Sequence, residues 1–271
     1  FSGSQDAIDG FTRQITVSTI NATTQEVESR VTWPQTTGGT GSVSLRSRLV
    51  NLGSGSTALV AHWKFDEGLG PTTADSSCSG SHIATINGAT WTPNGRIGNA
   101  LDFDGVNDYL SVSPATDLNI TNDITIAAWI KFDDVTQDWR GIVSKTDNDG
   151  SFDFTFLFGY RGSGNPLVNR NLYFDSNVFS PVSESTGTLS DTTTFHHVAV
   201  TKSGPTVTFY IDGNPAGSNT QSGSFFPTSY SIYIGARYVY FFDGGFDGII
   251  DDVRIYTRPL TAAEIQALAN P

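Results

Sequence analysis

One cysteine, Cys78, stands among 271 residues, so no internal disulfide can staple this chain. Methionine is absent. Lysine and arginine number 15 against 27 aspartates and glutamates, a net charge of −12. That balance argues against nucleic acid and against an anionic membrane surface as partners. No apolar run reaches about 18 residues, so the segment inserts no helix into a bilayer. No signal peptide is visible, and a chain beginning at Phe1 reads as a fragment or a processed product. What is present is 18 Phe, 9 Tyr and 28 Gly, with Ser, Thr and Asn filling the gaps between short apolar runs. This is all-β composition.

The run FHHVAVTKSGPTVTFYIDG at 195–213 is the clearest element. Val198 and Val200 alternate with His197, Ala199 and Thr201, then Val207, Phe209 and Ile211 with Thr208, Tyr210 and Asp212. Period-two alternation predicts a hairpin with one buried face, turning at Ser203-Gly204-Pro205. A hairpin cannot bury that face alone, so a second sheet is required. Candidates for it are LVAHWKF, ITIAAWIKF, GIVSK, FDFTFLFGY, NLYFDS, SYSIYIGAR and GIIDDVRIYTR. The alternation predicts burial of Trp63, Phe65, Leu101, Phe103, Ile126, Val200, Phe209 and Val253. It places Ile249, Asp251, Val253 and Ile255 on one face of the last strand. LTAAEIQALA reads as a closing helix, with Thr261 and Glu264 as a capping box. Residues 1–57 form a separate block of three amphipathic strands, FTRQITVSTI, EVESRVTW and SVSLRSRLVNL, bounded by Gly53-Ser54-Gly55-Ser56.

WKFDEGLG, GNALDFDGVNDYLSV, ITIAAWIKF, IYIGAR and FDGIIDDVRIYTRPLTAAEI follow one another across residues 58–271. In this order they resemble the laminin-G-like jelly roll of the concanavalin A-like superfamily. Two positions depart from the pattern: Phe195 stands where Trp is common, and Cys78-Ser79-Gly80 where Gly-Asn is usual. The resemblance implies an all-β, two-sheet antiparallel jelly-roll sandwich with a short C-terminal helix, preceded by the small three-stranded unit. Phe11-Thr12-Arg13, Val31-Thr32-Trp33 and Leu45 to Asn51 resemble the strand-rich tail of type IV pilin-like proteins, without their long apolar helix. Adhesion, carbohydrate binding, protein binding and glycoside hydrolysis all occur on the jelly roll, so the fold alone does not fix the function.

A glycosidase needs two carboxylates facing each other across a sugar. The hydrolase branches carry an E-x-D-x-E type strand, and this chain has none. Asp102 and Asp104 are followed at once by Gly105, and Asp251-Asp252 and His196-His197 are adjacent pairs that point to opposite faces. No third ligand near the histidines suggests zinc, and no nucleophile elbow surrounds any serine. The reading is therefore not an enzyme. Aromatic rings are the better candidates, because sugar C–H groups stack on ring faces. Tyr160, Tyr238, Tyr240 and Phe242, with Asp243, are the expected ligand contacts at the loop rim. The competing reading is that these rings plug the end of the core.

Calcium is the expected cofactor, at two places. The resemblance implies a structural ion on Asp251, completed by Asp66, Glu67 and the turn to Gly68, or by the loop at Gly105. A rim ion would use Asp147, Asn148 and Asp149, whose oxygens suit a calcium shell and otherwise make an ordinary polar turn. The function expected is a non-catalytic, extracellular or cell-surface adhesion module. Its partner is a glycan or surface polymer, and it is displayed on a pilus-like or surface-layer assembly. A structural domain of a filament or surface layer, and a glycoside hydrolase or lyase, are the alternatives.

Overall fold

The computed structural model describes residues 2–8, 11–21, 24–34, 40–50, 58–78, 80–134, 138–147, 149, 152–162, 170–176, 182–189, 191–221, 223–239 and 244–271. The chain divides into two compact units, Phe1–Thr57 and Ala58–Pro271. The first is an antiparallel sheet in the order β1 (Ser2–Ile8), β2 (Phe11–Asn21), β3 (Thr24–Pro34), β4 (Thr40–Val50). The three strands legible in the sequence are β2 to β4. The additional β1, SGSQDAI, carries a single β-branched residue, Ile8, and so has no alternation to read. Phe11 and Trp33 bring their rings to 6.2 Å.

The second unit holds sixteen strands among the described residues. They begin with β5 (Leu59–Trp63), β6 (Thr72–Thr73), β7 (Ala84–Asn87), β8 (Thr90–Thr92), β9 (Ala100–Asp104) and β10 (Tyr109–Val112). Next come β11 (Ile124–Phe132), β12 (Arg140–Thr146), β13 (Phe154–Arg161), β14 (Asn171–Ser176) and β15 (Ser183–Thr188). The series closes with β16 (His196–Ser203), β17 (Thr206–Ile211), β18 (Asn214–Thr220), β19 (Ser231–Ile234) and β20 (Asp247–Tyr256), then helix α1 (Ala262–Leu268). One sheet runs β15-β14-β13-β12-β19-β10-β7-β6, here the β12 sheet. The other, the β11 sheet, runs β18-β17-β16-β11-β20-β9-β8, with β5 also on β20. Phe156, Phe158, Leu172 and Phe174 of the first pack with Ile126, Ile130, Val198, Val200 and Phe209 of the second in one core. All eight residues expected to be buried are 0–1% exposed.

Strand β20 departs from simple alternation. Ala127 faces Arg254 but Trp129 faces Asp251, so two residues of β20 oppose Ala128. Asp252 takes φ 49° to make this bulge. It sits where the neighbour of β20 changes, from β9 beside residues 247–250 to β5 beside 253–256. The extra residue resets the faces. Ile250, Val253 and Ile255 join the core, and Asp251 is not in their row. Strict alternation, which puts Asp251 on the face of Val253 and Ile255, fails in β20 because the bulge inserts a residue between them.

Helix α1 covers part of the outer face of the β11 sheet. Ile265 and Leu260 pack with Ala127, Ala199, Tyr210 and Tyr256. The Thr261–Glu264 capping box forms, and Arg258 pairs with Glu264 at 2.7 Å. The register of β17 can be tested directly. Phe209→Ala, in the core, should cost ~3–5 kcal/mol in chemical denaturation. Thr208→Ala, on the other face of the same strand, should change stability by about 0.5 kcal/mol or less.

Candidate functional site

The segment FTFLFGYR in β13 is apolar on both faces. Phe156, Phe158 and Tyr160 enter the core, while Leu157 faces outward with Tyr173 of β14. Tyr238, beyond β19, joins them, and Trp139, Phe154 and Val182 pack against this outer cluster. Trp139 precedes β12 with φ 56°. The Gly141 N–H donates to the Gly244 carbonyl at 2.8 Å, which brings that loop against residues 139–141. A Cβ on Gly244 would lie 2.2 Å from the Trp139 carbonyl oxygen, so the close approach requires glycine.

The Trp139 indole is partly exposed, and its surroundings fix it in place. The Tyr173 ring meets it edge-on at 5.0 Å. The Arg161 and Arg237 guanidiniums lie 4.5 and 4.7 Å from its centroid, and Arg237 also stands 5.1 Å from the Tyr238 ring. Such cation–π contacts are worth ~0.5–1 kcal/mol each when exposed. Arg161 in turn pairs with Glu184 and, at 3.6 Å, with Asp138. Burial raises the Asp175 carboxyl above its ordinary range, against the Ser176 N–H and the Arg237 charge, which pull it down. A partly exposed indole with guanidiniums over its ring and carboxylates beside them can offer a sugar an apolar contact and hydrogen bonds to its hydroxyls.

The structure separates the residues expected at the rim. Tyr160 is fully buried, 4.5 Å from the Phe132 ring, and burial pushes its phenol upward. It is a core residue, because its position on β13 points inward beside Phe158. Tyr238 is buried at the edge of the Trp139 platform and supports it from below the surface. Tyr240, Phe242 and Asp243 lie outside the described residues, as does Asn148. Asp147 is buried, its N–H donating to the Asp153 carbonyl, and Asp149 is exposed. Trp139, Arg161, Arg237 and Asp175 were not singled out from sequence. The available signal was one tryptophan within DDVTQDWRG, a polar stretch with no other ring.

The sequence profile described as the concanavalin A-like lectin/glucanases superfamily matches residues 104–266. The chain belongs to this superfamily. No curated protein sequence matches it. Among solved structures, it resembles domain 4 of AbnA, a GH43 extracellular arabinanase from Geobacillus stearothermophilus, in complex with arabinotriose. That match has a TM-score of 0.60 and 22% identity, over 79% of this chain and 98% of that one. It also resembles a Trypanosoma rangeli sialidase in complex with sialic acid, with a TM-score of 0.58 and 15% identity, over 95% of this chain and 44% of that one. The binding domain of Paraclostridial Mosquitocidal Protein 1 gives a TM-score of 0.54 and 17% identity, over 79% and 52%. At these identities the likeness is one of fold.

On the opposite sheet of this superfamily member, Asp251 is wholly buried. Its Oδ2 accepts from the Ile97 N–H at 2.8 Å, while Oδ1 has no hydrogen-bond partner among the described residues. Burial pushes the carboxyl up to about 7. Asp66 grips the same loop, accepting from the Asn99 N–H at 3.2 Å. Glu67 is engaged elsewhere, accepting from the Thr73 hydroxyl and the Ala74 N–H. The Gly105 carbonyl accepts from the Arg140 guanidinium. It lies beside Asp247, four residues and ~13 Å along β20 from Asp251. The orphaned Oδ1 fits one ligand position for a cation, and neither Glu67 nor Gly105 is brought to it. No group of three or more acidic, His or Cys side chains among the described residues could hold a metal ion.

Beside Asp251, Asp252 is bonded to His62 at 2.6 Å and paired with Arg254 at 2.9 Å. Burial works to raise the Asp252 carboxyl, and these partners outweigh it and hold it low. His196 pairs with Asp212 at 2.9 Å. His197 instead lies buried with its ring 5.3 Å from Trp129, and its Nδ1 has no hydrogen-bond partner among the described residues. Burial pushes the His197 imidazole down to about 4, with Arg254 adding to the shift and Asp252 and Asp212 opposing it. An unfolded imidazole titrates near 6.5. Between these values the unfolded chain takes the proton and the folded chain does not. Stability present above pH ~6.5 is therefore lost as pH falls toward 4, by up to about 3 kcal/mol. His197→Gln should flatten the dependence by about 2.4 kcal/mol in urea unfolding compared at pH 7 and pH 4.5. An unchanged slope would place the titration on other groups.

Proposed function

We propose that this protein is a non-catalytic glycan-recognition module of the extracellular or cell-surface kind, acting in adhesion through the Trp139 platform. The observation that carries the reading is a partly exposed indole held edge-on by Tyr173, with two guanidiniums over its ring. The arabinotriose and sialic acid held by structural neighbours support a sugar as the partner. A non-catalytic role is supported by the placement of the platform's carboxyl groups: Asp175 is buried, and the two outer ones are engaged. Glu184 and Asp138 pair with Arg161, so neither is placed as a free proton donor. Display on a pilus-like or surface-layer assembly is part of the same proposal and rests on the resemblance of the N-terminal strands to a pilin-like tail. On a glycan array, wild-type protein should bind a polysaccharide, and Trp139→Ala should weaken that binding at least ~10-fold while the domain stays folded, its melting temperature lowered by about 2–8 °C through the lost ring contacts. Turnover of any polysaccharide in a substrate panel would replace this reading with the hydrolase or lyase one.

The same proposal includes a structural calcium at Asp251, whose orphaned Oδ1 would be one ligand, with loop carbonyls as the others. Bound only by the folded state, the ion would fasten the 96–99 loop to β20. At calcium a hundredfold above its Kd, the melting temperature should rise by ~5–10 °C over the chelated protein. Asp251→Asn should abolish the rise. Identical wild-type curves with and without chelator would leave Asp251 as a loop anchor only.

A further inference from the structure

The platform contains two arginines on a chain with a net charge of −12, and how their charge is neutralised determines what they can hold. Arg161 lies between Glu184 and Asp138, on β15 and in the segment before β12. Arg237 stands over the Trp139 and Tyr238 rings with its Nε buried. Arg161 thus faces two carboxylates from separate elements. An anionic sugar needs an uncompensated cation, since a carboxylate entering beside Glu184 and Asp138 would meet like charge at short range. A neutral sugar needs only forked donors and acceptors, and an Arg–carboxylate pair offers both in one plane to adjacent hydroxyls.

Building on the glycan-binding reading above, we infer that the Trp139 platform selects neutral glycans and rejects acidic ones, with Glu184 and Asp138 as the residues that set this choice. The carboxylates act as specificity determinants by occupying the Arg161 guanidinium. Apolar contact with the exposed part of Trp139 is common to either sugar class, so it supplies affinity without discrimination. Long-range repulsion from the acidic chain reinforces the choice at low salt and is screened beyond ~10 Å at 0.1 M.

The test uses the whole protein against two polysaccharide panels at 20 mM and 300 mM NaCl. One is neutral (arabinan, mannan, galactan, β-glucan) and the other acidic (polygalacturonate, alginate, a sialylated glycan). Wild type should bind a member of the neutral panel in a Trp139-dependent manner, with little change between the two salts, and no acidic member. The Glu184→Gln/Asp138→Asn double variant, confirmed folded by its melting temperature, should gain acidic binding that falls at least tenfold at 300 mM NaCl. Trp139-dependent binding of wild type to the acidic panel would overturn the inference and leave the glycan reading standing. Failure of the folded double variant to gain acidic binding would also overturn it. Binding to neither panel would overturn the glycan reading itself, and this inference with it.

Discussion

Everything in the larger unit depends on the burial of two apolar sheet faces against each other. Neither the β16–β17 hairpin nor the β13–β14 pair could keep its inner row in water. Together they bring Val198, Val200 and Phe209 against Phe156, Phe158 and Phe174 in one core. Each such aromatic or branched side chain is worth ~1.5–3 kcal/mol when fully buried. With no disulfide possible, this contact stands in place of covalent cross-links. It also fixes which face of each strand is left for function.

That constraint explains how much was legible. The hairpin, the buried row from Trp63 to Val253 and the capped helix were readable because their alternation is clean and one-sided. FTFLFGYR was not, since both of its faces are apolar and period alone cannot say which ring turns inward. Tyr160 was therefore assigned to a surface that it does not reach. The bulge at Asp252 was equally invisible, because an aspartate at positive φ leaves no signature in an alternating string. The platform escaped for another reason. Trp139 comes from before β12, Tyr173 from β14, Arg161 from the end of β13 and Arg237 from the segment beyond β19. Only the sheet order brings them together.

The two outer faces have diverged along the same logic. On the β11 sheet, helix α1 closes one part, and the Asp252–His62–Arg254 network sits beside the bulge. There the polar groups hold the last strand and the 96–99 loop in place. On the β12 sheet the outer cluster leaves Trp139 partly exposed, with Arg161 beside it paired to Glu184 and Asp138. A stabilising face and the face proposed for recognition thus lie on opposite sides of one core, as a rigid scaffold with loop-borne contacts would require.

The most direct test of this division is an NMR titration with a polysaccharide fragment that the protein binds, following the indole N–H signals. The account predicts that the Trp139 signal moves with ligand, together with backbone amides of residues 157–161 and 171–175. The signal of Trp129, on the outer face of the opposite sheet, should stay in place. Movement of Trp129 and its neighbours on β16 and β20, with Trp139 unmoved, would contradict it.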